Sequence, residues 1–196
     1  MVTPMEDRAR ERFLKNAEQP RSWFRIAEEL LGSARLIWEA RIEPACIDFL
    51  GASGAAFPHM RGFYVLAGFS AENFIKGVCV ARLRVAGDRP IDEQLGKLSL
   101  SRLNTHHDLL GPARQASLPL GPEHIDLLTR LEPIIKWSGR YPVARTPTGM
   151  DGLDHINADD LRTLDAFAQL CRDTWRDVTK KPMPGGGWLR TERYEE

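Results

Sequence analysis

The chain has 196 residues, and its 27 Lys and Arg are balanced by 27 Asp and Glu. That length suits one compact domain, and the even charge excludes the strongly basic profile of a dedicated nucleic-acid binder while leaving room for a local basic groove. Three cysteines, Cys46, Cys79 and Cys171, stand far apart with no CxxC spacing, which excludes a disulfide framework and a zinc ribbon.

Helical periodicity runs through the chain, and no alternating strand of useful length interrupts it. The first segment, "MVTPMEDRARERFL", is charged and has no apolar signal region. Residues 5–17 read as a short extra helix. Ser22 is the expected cap of a second helix running to about Arg41. Its apolar set of Trp23, Ile26, Ala27, Leu30, Ala34, Ile37 and Trp38 repeats at spacings of three and four, which makes one buried stripe. Pro44 closes that element. "LGASGAAFPHM" reads as a loop, because its glycines are not followed by the Lys-Ser or Lys-Thr of a phosphate loop.

A third helix is expected from about His59 to Val85. Residues 63–69 are apolar nearly all round, which places this helix at the centre of the core. Ala67, Gly68 and Ala71 leave a groove for a neighbouring helix. Glu72 and Lys76 form an i,i+4 pair in the favoured order, and Cys79 falls in the same apolar pattern. A short helix follows to about Ala116, with Thr105 and Asp108 spaced as a capping box and His106 and His107 in its first turn. Pro122 suits the first turn of the next helix, whose buried face is Ile125, Leu128, Leu131 and Ile135. Pro133 should bend it, and Gly139 can end it. Asn157 with Asp160 caps the last helix, where Leu161, Leu164, Ala168, Cys171, Trp175 and Val178 repeat cleanly.

The expected fold class is therefore all-α, an antiparallel four-helix bundle with a short extra N-terminal helix. Residues 1–20 read as an N-terminal extension, 21–179 as the bundle and 180–196 as a flexible C-terminal tail. The longest apolar run, "FYVLAGF", is too short to span a bilayer, so the chain reads as soluble and cytoplasmic with no membrane partner.

Three separated pieces carry chemistry: "YVLAGFSAENFIKGV" at 64–78, "THHDLL" at 105–110 and "WSGRYP" at 137–142. In this order they resemble the HEPN family of small prokaryotic helical-bundle proteins. The resemblance covers roughly residues 20–178 and rests on the ordered set, since no single piece is specific. It implies a homodimer. It also implies either a metal-independent endoribonuclease of toxin–antitoxin or antiviral defence systems, or a non-catalytic module. Such a module would bind RNA, a nucleotide or a partner protein encoded nearby, such as a nucleotidyltransferase. The family's catalytic branch pairs an Arg with a His, with four to six residues between them, so that Arg102 to His106 is one residue too short. Arg102 and His107 meet that spacing, although Leu103 stands where a polar residue usually follows the Arg.

The chemistry suits those residues. A histidine titrating near neutrality can take the proton of a ribose 2′-hydroxyl, and an arginine fork can hold the phosphate. Arg102 and His107 are thus the candidate catalytic pair. Glu72, Asn73, Lys76, His106, Arg140 and Tyr141 are candidate substrate-binding residues. The bland alternative makes His107 a helix-entry residue bonded to a backbone carbonyl, and Arg140 and Tyr141 a packing latch. No HExxH or His-x-x-x-His appears, and adjacent histidines in a helix diverge by about 100°, so no metal or cofactor is expected.

Overall fold

In the computed structural model, residues 17–44, 59–86, 107–138 and 157–180 are described. They form helices α1 (Pro20–Ile37), α2 (Met60–Ala86), α3 (Leu110–Gln115), α4 (Pro122–Pro133) and α5 (Asp160–Lys180), with no strand among the described residues. The all-α expectation holds. Cys46, Arg102, His106, Gly139, Arg140, Tyr141, most of the expected N-terminal helix and the C-terminal tail fall outside the described residues.

α1 begins on Pro20, with Gln19 extended before it. Proline's fixed φ and missing N–H favour the first helical position, so Ser22 lies inside the first turn and is not the cap. The buried stripe is Phe24, Ala27, Leu31, Ala34 and Trp38. It is turned from the expected one, and Ile26 is 37% exposed. Phe24 sets that rotation. It lies against Gly77, where a Cβ would stand 2.5 Å from its ring. It also stacks on Trp175 at 4.5 Å and meets Phe74 edge-on at 5.4 Å. The helix then widens into a single π turn over Trp38–Ile42, which keeps Trp38 and Ile42 buried.

α2 is the central helix, as its all-round apolar sequence requires. Its buried residues run from Phe63 to Ala81. α1 lies antiparallel to it: the Ser70 hydroxyl donates to the Ala27 carbonyl at 2.8 Å, and Ile37 packs at Gly62. α5 runs parallel to α2, with Asp160 beside Tyr64 and Arg172 over Phe74. α4 runs opposite to α5, since Arg130 reaches Asp160 while His124 faces Phe167.

Gly68 permits the closest approach, because a Cβ there would lie 2.3 Å from Ile135 Cγ2. That contact uses the π turn Ile134–Ser138, which follows Pro133 directly. Proline has no N–H for the regular ladder, so the helix widens where it sits. The buried face of α4 and its π turn is Leu127, Leu128, Leu131, Ile134 and Ile135, whereas the expected Ile125 is only half-buried.

A buried polar knot ties three helices. Asp160 accepts two bonds from the Arg130 guanidinium, at 2.9 and 2.6 Å, and one from the Tyr64 hydroxyl at 2.6 Å. Burial and the Asp160 carboxylate push the Tyr64 phenol well above its ordinary range. The hydrogen bonds to Asp160 push the Arg130 guanidinium up likewise. The expected Asn157–Asp160 cap is also present: the Asp159 N–H donates to Asn157 Oδ1 at 3.0 Å and the Asn157 N–H to Asp160 Oδ2 at 3.3 Å.

α2 is long and apolar enough to cross a membrane by length and composition. However, 78% of its most apolar stretch is buried inside the fold, as befits a core helix.

Candidate functional site: a histidine held on a buried carboxylate

Glu72 is almost fully buried on α2, with 4% of its side chain exposed. A lone carboxylate there would be strongly destabilising, and two partners offset that cost. One turn along, Lys76 Nζ lies 2.7 Å from Oε1, as the i,i+4 spacing predicts. From the far side, His107 Nδ1 lies 3.2 Å from Oε1 and 3.1 Å from Oε2.

A carboxylate can only accept, so Nδ1 of His107 is the donor. In the neutral ring, Nε2 then carries the free lone pair. The His107 side chain is 39% exposed, so this centre joins a buried carboxylate to solvent. Phe69 packs edge-on to the imidazole at 5.6 Å and further fixes its plane.

The local chain path differs from expectation. α3 begins only at Leu110, and His107 and Asp108 are not helical. Asp108 therefore precedes the helix and does not stand in its first turn, as the Thr105–Asp108 capping box required; Thr105 itself lies outside the described residues. Instead, the Leu109 N–H donates to Glu132 Oε2 on α4 at 3.2 Å. Burial pushes the Glu132 carboxyl up, but the bonds it accepts from Lys136 and the Leu109 N–H outweigh it and leave the group below its ordinary range. The carbonyl-bonded reading of His107 is replaced by a carboxylate bond.

Two further side chains border the centre. The Asn73 amide donates to the Phe69 carbonyl at 2.7 Å, so it lies on the same face of α2 without bonding His107. Lys76 Nζ stands 5.3 Å from the centroid of the Trp23 ring, a cation–π distance. The Trp23 indole N–H donates to the Ala17 carbonyl at 2.9 Å.

Of the candidate residues, Glu72, Lys76 and His107 are thus brought together, and Asn73 lies beside them. Arg102, His106, Arg140 and Tyr141 fall outside the described residues. Trp23 and Phe69 were missed as site neighbours, because each sits in an apolar pattern that reads as core. Among the described residues, no three His, Cys, Asp or Glu side chains converge as metal ligands. Burial pushes the Cys79 thiol up to about 12, and its Sγ contacts the Pro112 carbonyl at 3.6 Å. It is a packed thiol, not a nucleophile.

No family model, curated protein or solved structure matches this chain.

Proposed function

We propose that the protein is an HEPN-like antiparallel four-helix bundle acting as a cytoplasmic, metal-independent endoribonuclease, working as a homodimer in a toxin–antitoxin or defence setting. The observation that carries this reading is the Glu72–His107 pair. An imidazole held by a carboxylate at one nitrogen, with its ring open to solvent, is a common form of general base.

In the proposed step, His107 Nε2 takes the proton from a ribose 2′-hydroxyl. The resulting alkoxide attacks the adjacent phosphorus, and the P–O5′ bond breaks. This gives a 2′,3′-cyclic phosphate and a 5′-hydroxyl, the leaving oxygen taking its proton from a protonated imidazole such as that of a second copy. Arg102 is assigned to the developing phosphate charge. Lys76 adds local positive charge, partly neutralised by Glu72.

A second reading is supported by Leu103, which follows Arg102 where the catalytic branch prefers a polar residue. The protein would then be a non-catalytic module for RNA, a nucleotide or a partner protein such as a nucleotidyltransferase. Incubation with labelled RNA in EDTA separates the two. Cleavage by wild type, lost in His107→Ala and in Arg102→Ala, supports the enzyme. Intact RNA, or equal cleavage by His107→Ala, leaves only the module.

A further inference from the structure

We propose that Trp23 is a stacking platform for an unpaired nucleobase beside the His107 centre, so that the site selects single-stranded RNA. This rests on the endoribonuclease reading and adds a specificity residue from α1, a helix that contributes nothing to the acid–base pair.

Four observations support it. Trp23 is half-buried, so part of its ring surface stays open. Its N–H is engaged by the Ala17 carbonyl at 2.9 Å. That bond holds the ring plane and leaves the π surface as the feature a ligand can read. Lys76 Nζ lies 5.3 Å from the ring centroid and 2.7 Å from Glu72 Oε1, so a single ammonium links the indole to the carboxylate that holds His107. Lastly, the antiparallel crossing of α1 and α2 sets Asn73, whose amide nitrogen bonds the Phe69 carbonyl at 2.7 Å, on the same stretch of α2. Its carbonyl oxygen remains as an acceptor.

An aromatic face on α1, a cation over it from α2 and an amide three residues before that cation suit an unpaired nucleotide. The base stacks on the indole and the amide meets a base edge. A duplex keeps its bases stacked on one another and has no face to offer Trp23.

The test uses 2′-O-methyl RNA, which lacks the attacking hydroxyl and so separates binding from cleavage. Affinity of the full chain is measured by fluorescence anisotropy for single strands, for the matching duplex and for a single strand with one abasic site. The expected result is tightest binding to the intact single strand. A suitably placed abasic site, or Trp23→Leu, should weaken it by about 5- to 100-fold, with Trp23→Phe retaining most of the affinity. The abasic strand tests the platform in wild type, whatever a variant does to folding. Equal affinity for intact and abasic strands wherever the gap is placed, or for folded Trp23→Leu and wild type, overturns the platform, even if cleavage is intact. Trp23-dependent binding without cleavage of ordinary RNA overturns the nuclease reading and leaves the platform standing. Wild type that binds no single strand overturns the platform outright.

Discussion

His107 Nδ1 lies 3.1 Å from Glu72 Oε2, a contact between residues 35 positions apart. It converts two weak sequence features, a charge in an apolar helix and one histidine of a pair, into a single chemical unit. Replacing Glu72 with Gln keeps the shape, but the amide can donate to Nδ1 and so favour the wrong tautomer. Cleavage by Glu72→Gln should fall about 100-fold or more with little change in RNA affinity. Nitrogen-15 NMR of His107 should show the proton moving from Nδ1 to Nε2. An unchanged tautomer and rate would refute the positioning role.

Lys76 tests the same unit through stability. With 11% of its side chain exposed against 4% for Glu72, the pair is buried, and removing one partner strands the other. Lys76→Met should lower unfolding free energy by about 3–5 kcal/mol. The double variant Lys76→Met with Glu72→Gln should lose less than the sum of the two single losses. Urea denaturation of the four proteins measures the coupling, and strict additivity would argue against a shared buried pair.

Glu132 predicts the acid limb of stability. Its carboxyl is held below the ordinary carboxyl value of 4.5 in the folded chain. A depressed carboxyl stabilises the fold above its unfolded pKa, and that contribution disappears as pH falls through the folded value. Stability should therefore decline below about pH 4.5, and Glu132→Gln should flatten that limb while costing stability at neutral pH. Thermal melts from pH 3 to 7 will show it, and a Gln variant with the wild-type slope would contradict it.

Cys79 predicts the alkaline limb. Burial raises its thiol from 9.0 to about 12, and Cys171 is raised by the same cause. A thiol whose folded pKa is raised contributes stability that is complete below pH 9 and lost as pH rises toward 12. Both thiols should also resist an aromatic disulfide reagent in the native protein and react on unfolding. Cys79→Ala should soften the decline above pH 9, at the cost of a small cavity. Rapid native labelling of Cys79 would contradict its packing.

Much of the fold was legible because its signals are local. The period of α5, the cap at Asn157 and Asp160, and the prolines at 122 and 133 each act within a few residues. The rotation of α1 was not legible. It depends on Phe24 meeting Gly77, a fit between two helices that no spacing within one helix encodes. The start of α3 was misplaced for a similar reason, since the partner of the Leu109 N–H is Glu132 on another helix. At the site, Glu72, Lys76 and His107 were all singled out from sequence. The Glu72–Lys76 bond follows from helical spacing, but the choice of Glu72 as the acceptor for His107 is a tertiary fact. Trp23 and Phe69 gave no separate signal, because a ring bordering a polar centre and a ring in the core look alike in sequence.

The buried pair on α2 has a consequence for how the nascent chain is sorted. Met60–Ala86 is long and apolar enough to cross a membrane by length and composition alone. Near its midpoint stand Glu72 and Lys76, and a charged side chain at the centre of a span opposes insertion by about 2.5–3.5 kcal/mol. The charges that hold a histidine in the finished protein also weigh against a membrane fate while the chain is still emerging. Neutralising both would raise the apolarity of the segment and remove that opposition.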